Sequence, residues 1–466
     1  MPQVRGDRGS LAGAQRKVSS RGVDCGESPD TVFRKLKPGP GMDAVAVASH
    51  QRARIHSAML DLVAERGYDA VTVRDLAGAA GVSTRSFYKH YSSKEQCFLR
   101  VHRLITHRVL RVFGSSHEGV SREAGIRLGV EAIMRVWASE PKAARLLCMD
   151  AYAAGPAALK QAEWARRTIE AAIVESLGDK FEAAGSLLIA EAIVAGIFSA
   201  TRHCLLDGKA RLDPQLRDAL MAWTVECCGA FLRLEELQRV TAPGGLEHDA
   251  SLISVRSQNE DRREKAMSSK GDVIALHSVA AKLAATHIYQ NLSVSKLVEA
   301  AGVSRRTFNA NFSSMDACFL AVLESKAVEA MAKVREASKG GATPEEGVYR
   351  ALVALCDRAA GDASFASLCF DASVVPGLPK MRSQRALTRK LACLITDRLA
   401  TVGPVDRVTA QASAGAICGV IQNQVDMGRV SELHGKAPLL TYLLLAPTVG
   451  PSAAMRAVHR EHLLTT

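Results

Sequence analysis

The chain has 466 residues, 47% of them hydrophobic but only 5% aromatic, with 60 Lys+Arg against 48 Asp+Glu and a formal net charge of +12. That length exceeds one ordinary domain and predicts about three to four, and an Ala- and Leu-rich composition poor in aromatics favours helices over sheet. The basic excess is compatible with a polyanionic partner without requiring one; the 11 scattered cysteines form no C-x-x-C pair, and with no leader peptide they point to a reducing cytoplasm rather than a disulfide framework.

Residues 1–47 mix Gly, Pro, Ser and charge without helical period and predict a disordered basic tail. Its Arg5, Arg8, Arg16, Lys17, Arg21, Arg34, Lys35 and Lys37 suit either contact with phosphates or a plain solvated extension. Order is expected from about His50, where Ile55, Ala58, Met59, Leu62 and Val63 recur at the spacing of an amphipathic helix that Gly67 ends. Thr72 opens a second helix with Asp75 as its capping-box partner, and Gly81 makes the next turn. Ser83 caps a third helix, and Ser92 with Glu95 starts a long fourth. Three short helices with a glycine turn between the second and third predict a helix-turn-helix over 48–98.

Residues 99–237 read as an all-helical bundle broken at Gly114–Gly119, Glu140-Pro141, Gly155-Pro156, Gly178 and Gly208 to Pro214. Within it Leu187 to Leu206 is the most apolar stretch, and Glu191, Arg202 and His203 mark it as a buried helix rather than a membrane span. Residues 238–271, with Pro243-Gly244-Gly245 and a dense run of charge, predict a linker. The pattern then repeats 221 residues on: Tyr68, Val73, Leu76, Phe87 and Cys97-Phe98-Leu99 match Tyr289, Val294, Leu297, Phe308 and Cys318-Phe319-Leu320. After a one-residue slip Gly208 matches Gly428, so head and bundle are both duplicated. A second head is expected at 272–319, a second bundle at 320–450 and a C-terminal tail at 451–466.

The segment from Gly67 to Leu99, carrying Thr72-Val-Arg-Asp-Leu-Ala, Ala80-Gly-Val-Ser and Phe87-Tyr-Lys-His-Tyr-Ser-Ser-Lys-Glu, closely resembles the DNA-binding domain of TetR-family transcriptional regulators. The resemblance implies an all-helical protein whose two heads dock in adjacent major grooves, with bundles that pair and enclose a small-molecule effector. Here both heads lie on one chain, which predicts an intramolecular pseudo-dimer acting as a repressor on a double-stranded DNA operator. The last two helices of each half, about 185–206 with 214–236 and 407–427 with 437–447, are expected to form the four-helix interface.

A recognition helix presents base readers at its N-terminal end while neighbours hold phosphates. In the first head those places are Thr84, Arg85 and Ser86, followed by Tyr88, Lys89 and His90. Arg85 suits bidentate contact with guanine. Thr72 at a helix start is placed for a phosphate, and the resemblance gives that role also to Tyr88 and Lys94. In the second head Ser293, Arg305, Arg306, Thr307, Asn309 and Asn311 hold the matching places, but Lys89 has become Ala310 and Lys94 has become Met315. Each lost phosphate contact lowers the salt slope by about 0.9. The second head therefore reads either as a reader of a different half-site, making the operator asymmetric, or as a structural brace.

Effector candidates in the first bundle are Trp137, Cys148, Met149, Tyr152, Trp164 and Phe198, residues that would equally fill a collapsed core. No metal-ligand spacing, phosphate loop or nucleophile elbow is present, so the chain is expected to be no enzyme and to need no cofactor. A ligand-binding scaffold without useful DNA binding is the competing expectation.

Overall fold

A computed structural model describes residues 44–114, 122–177, 183–207, 214–241, 270–286, 292–371, 373–374 and 377–465. The basic tail up to residue 43, the linker at 242–269 and the break at 208–213 lie outside the described residues. Every regular element among those described is a helix. The first half runs α1 (Ala44–Arg66), α2 (Val73–Ala80), α3 (Thr84–His90), α4 (Lys94–Gly114), α5 (Arg122–Ser139), α6 (Pro141–Cys148), α7 (Pro156–Leu177), α8 (Ala183–Leu206) and α9 (Pro214–Thr241). The second runs α10 (Lys270–Thr286), α11 (Val294–Ala301), α12 (Arg305–Asn311), α13 (Met315–Ala337), α14 (Pro344–Gly361), α15 (Ala363–Phe370), α16 (Leu378–Leu399), α17 (Arg407–Asp426), α18 (Leu433–Val449) and α19 (Pro451–Thr465).

Each head is a three-helix unit seated on the start of a long helix. In the first, Ile55, Met59, Leu76, Phe87 and Phe98 are fully buried; in the second, Leu276, Ala280, Leu297, Phe308 and Phe319 take those places. Thr72 and Asp75 form the expected reciprocal cap of α2, and Gly67 and Gly81 adopt left-handed φ of 80° and 61°, which glycine supplies without steric cost. Three boundaries differ from expectation. Helix α1 starts at Ala44 rather than near His50, because the run Ala44-Val-Ala-Val-Ala-Ser favours continued helix. At α4 the capping pair is one residue later than Ser92 and Glu95: Ser93 Oγ accepts from the Gln96 amide at 3.1 Å, while Gln96 Oε1 accepts from the Ser92 amide at 2.6 Å. The C-terminal segment is a helix, α19, rather than a tail. It buries Ala454, Ala457 and Val458 against α14 and α18, and Arg460 reaches the buried Glu346 at 3.0 Å.

Helix α8, long and apolar enough to cross a membrane by composition, is 89% buried over Gly185–Leu206. It packs on α17, and α9 packs on both α17 and α18. The α8–α17 crossing is set by glycine. A Cβ on Gly415 would land on Ser199, and one on Gly419 would land on the Cβ of Ala195. Helices α8 and α17 correspond at an offset of 220, so Ser199 matches Gly419 and Ala195 matches Gly415. The two close contacts are thus one contact seen from each side of an approximate two-fold axis. Around them Trp223 Nε1 donates to Ser413 Oγ at 3.0 Å, and the Tyr442 hydroxyl donates to the Ala230 carbonyl at 2.8 Å.

One end of this junction holds buried charge. Arg166 donates to Glu170 and to Asn423, both at 2.6 Å, and Asn423 donates in turn to Glu191. Burial, reinforced by the nearby Glu170 charge, pushes the Glu191 carboxyl from 4.5 up to about 7. The folded chain therefore holds this proton to higher pH than the unfolded chain, and stability falls as pH rises from about 4.5 to 7. Glu191→Gln keeps an oxygen for Asn423 and removes the penalty. It is expected to raise the unfolding free energy, and with it the denaturant midpoint, by up to about 3 kcal/mol at about pH 8, and to change little at about pH 4. Equal midpoints at both pH values would count against a buried carboxylate there.

Candidate nucleic-acid interface

Helix α3 of the first head is held by its inner face and exposed on its outer one. Its N-cap Ser83 Oγ accepts from the Ser86 amide at 3.0 Å. Thr84, Arg85, Tyr88 and Lys89 are exposed. Phe87 is fully buried and Tyr91 nearly so, with rings 5.7 Å apart, while Tyr88 stands edge-on to Phe87 and stays 56% exposed. Seven residues complete only about two turns, so the exposed set forms a single stripe of a cation, a phenol and a second cation behind the cap.

Ser86 and His90, expected on that reading face, turn inward. Ser86 Oγ donates to Gln51 Oε1 at 2.9 Å, and His90 Nε2 meets the same oxygen at 2.9 Å. Gln51 of α1 is thus a strut that fixes the rotation of α3, and it passed unnoticed in the sequence because its partners lie 35 and 39 residues away. Partial burial, with the charges of Arg52 and Lys89, lowers the His90 imidazole below its ordinary range, so near neutral pH it acts as a hydrogen-bonding group rather than a cation. Lys94 also faces inward in part. Its Nζ donates to the carbonyls of Tyr68 and Val71, both at 2.9 Å, and lies 4.0 Å from the centre of the Tyr68 ring. It pins the α1–α2 turn. Thr72 is exposed at the start of α2, but its hydroxyl donates to Asp75 at 2.6 Å, and this bond is the main cause of the lowered Asp75 carboxyl.

The second head keeps the frame with different chemistry. Ser304 caps α12 through the Thr307 amide at 3.0 Å, and Thr307 Oγ1 lies 2.9 Å from the cap oxygen. Arg305, Arg306, Asn309 and Asn311 are exposed. Asn311, in the place of His90, donates to its own helix at the Thr307 carbonyl, 2.8 Å away. Ser293 caps α11 by accepting from the Lys296 amide at 3.3 Å, but Lys296 replaces the acid that would complete a capping box. Met315, in the place of Lys94, packs against the core.

The six residues expected around an effector separate into two places. Trp137 and Phe198 are buried with rings 5.5 Å apart, and Cys148 and Met149 are buried as well, with burial pushing the Cys148 thiol up to about 12. Tyr152 is partly buried, with the Arg202 guanidinium 5.8 Å from its ring. Trp164 instead faces α4, against His107 at 5.7 Å and Arg103 at 5.4 Å. No group of three His, Cys, Asp or Glu suited to a metal occurs among the described residues.

The family model for bacterial regulatory proteins of the tetR family matches residues 55–101 and, a second time, 276–322. The HTH-type transcriptional repressor KstR2 of Rhodococcus jostii (strain RHA1) is 34% identical over 95 residues, covering 20% of this chain and 45% of that protein. The HTH-type transcriptional regulator RutR of Escherichia coli (strain K12) is 29% identical over 116 residues, covering 25% of this chain and 54% of RutR. The chain therefore spans about half the length of the curated relatives it matches. A solved TetR-like transcriptional regulator from Rhodococcus sp. RHA1 aligns over 41% of this chain and 98% of its own, at 16% identity and a TM-score of 0.34.

Proposed function

Since this chain belongs to the TetR family through two heads in tandem, we propose that it is a sequence-specific repressor in which one polypeptide supplies both reading heads. The bundles pair within the chain, the heads are carried as an intramolecular pseudo-dimer, and an effector bound among the helices of the bundles releases DNA. The observation that carries this reading is the α8–α17 crossing, where Gly415 and Gly419 admit Ser199 and Ala195. Tethering gives each half an effective concentration on the order of millimolar for the other, so pairing is independent of protein concentration. Light scattering is expected to give the mass of one 49.8 kDa chain, free and on DNA; twice that mass would overturn in-chain pairing.

Both heads read DNA in this proposal, and they read differently. The first grips phosphates with Lys89 and presents Arg85 to bases. The second has Arg305 and Arg306 at its first turn and two exposed amides behind them. The operator is therefore asymmetric. A second reading, in which the α12 head is a brace, is favoured by the loss of Lys89 and of the His90 strut; a pool-selected DNA motif of one half-site only would establish it. The relatives' names support DNA binding and, for KstR2, repression. A DNA-binding role places the protein in the cytoplasm.

A further inference from the structure

The junction of the two halves has two ends related by the offsets of 220 between α8 and α17 and 222 between α7 and α16. They are not filled alike. At one end Arg166 of α7 reaches across to Asn423 of α17, and every polar group named there is partnered: Arg166 with Glu170, Asn423 with Arg166 and Glu191. At the other end the offsets put His203 in the place of Asn423 and Thr388 in the place of Arg166. A threonine cannot extend as far as an arginine, and a small cleft opens between Ser199, Arg202 and His203 of α8 and Gln384, Arg385 and Thr388 of α16.

Two buried polar atoms at this end have no hydrogen-bond partner among the described residues. His203 is only 4% exposed, and its Nδ1 lies 2.8 Å from the Ser199 carbonyl. A carbonyl only accepts, so Nδ1 carries the hydrogen and Nε2 offers a lone pair, which is unpaired. Arg385 pairs through Nη2 with Asp207, but its buried Nε–H is unpaired. An unmade hydrogen bond at a buried group costs about 1–3 kcal/mol. Arg202 and Arg385 both line the cleft, with Asp207 paired to Arg385, so its described lining carries excess positive charge. Burial and those same arginines hold the imidazole below its ordinary range.

We propose that this cleft binds a small oxyanion that retains a hydroxyl, either a hydroxycarboxylate or monohydrogen phosphate. The anionic oxygens accept from Arg385 Nε–H and from the Arg202 guanidinium, and the ligand hydroxyl donates to His203 Nε2. Bound there, it does for this end what Arg166 does for the other, joining α8 of one half to α16 of the other. The proposal rests on the in-chain pairing argued above, because the cleft walls come from different halves.

Calorimetric titration of the full chain with glycolate, monohydrogen phosphate and acetate, at constant ionic strength, tests it on a sample whose mass is measured by light scattering. Saturable binding of glycolate or phosphate is expected, with acetate, which lacks the hydroxyl, at least tenfold weaker. Glycolate alone assigns an organic acid; phosphate alone assigns a phosphoryl group. Thr388→Arg puts the arginine of the opposite end here, beside Arg202 and Arg385 and with Ala392 in the place of its partner Glu170, so it is expected to abolish binding and to lower the melting temperature, and Arg385→Gln to weaken binding at least tenfold. Absence of saturable binding from a single-chain sample, or undiminished binding in a folded Thr388→Arg chain, would overturn the cleft assignment. A two-chain mass overturns in-chain pairing instead, which separates the two failures.

Discussion

Gly415→Ala combined with Gly419→Ser gives α17 the residues that α8 carries at the same places, and it is expected to force the two halves apart. Each new Cβ would fall on a rigid neighbour, Ser199 in one case and the Ala195 Cβ in the other. Neither neighbour can swing aside as a lysine or methionine would, so the helices themselves must move. Overpacking of this kind costs about 1–3 kcal/mol per site, and the pair should lower the unfolding free energy by several kcal/mol, and with it the denaturant midpoint, at unchanged helix content. Gly361→Ala is the control: no atom lies within 4 Å of its added Cβ, and no loss is expected. The same geometry disfavours two copies pairing through α8 alone, since Ala195 and Ser199 would then meet each other with no glycine on either side. If the double variant matched the parent in midpoint, the crossing would not be set by these glycines. With the halves apart, a two-headed site should bind only as tightly as its better head.

The heads were legible because their signals are local. The Thr72–Asp75 box, the Ser83 cap and the glycines at 67 and 81 each act within four residues, so spacing alone locates them. The duplication was legible for another reason: an offset of 221 across the heads, slipping by only one residue in the bundles, preserves the register of the buried positions. What sequence missed lies across tertiary distance. Gln51 is unremarkable until α3 is laid against it, and Lys94 reads as a free cation until two carbonyls of the α1–α2 turn are found beneath its ammonium. Gly415 and Gly419 sit inside a helix, where glycine ordinarily weakens the segment; their use becomes visible only with α8 in place. Trp164 was grouped with Trp137 on composition, although the two face different neighbours.

Selection of bound DNA from a random pool, with the parent chain and with Arg85→Ala and Arg306→Ala, should yield three different motifs. A bidentate arginine–guanine contact is worth about 1–3 kcal/mol of discrimination. Arg85→Ala should therefore relax one half of the parental motif by roughly a factor of ten to a hundred, and Arg306→Ala the other half, each leaving its opposite intact. Lys89 contributes differently. Exposed behind the cap, it is placed to neutralise a phosphate, so Lys89→Ala should weaken binding evenly across sequences and reduce the salt slope by about 0.9. Lys94→Met, which copies the second head, should affect salt dependence less, because its Nζ is already engaged by the Tyr68 and Val71 carbonyls. Relaxation of the same half by both arginine variants, or a symmetric palindrome from the parent, would mean that one kind of head does all the reading. The chemistry of the two helices argues otherwise: one presents Arg85, Tyr88 and Lys89 on an α3 locked by Gln51, the other Arg305, Arg306, Asn309 and Asn311 on a helix that bonds to itself. Arg306 keeps the place of Arg85, but Arg305 stands for Thr84, Asn309 for Tyr88 and Ala310 for Lys89, and surfaces that differ around a shared arginine have a physical reason to prefer different flanking bases.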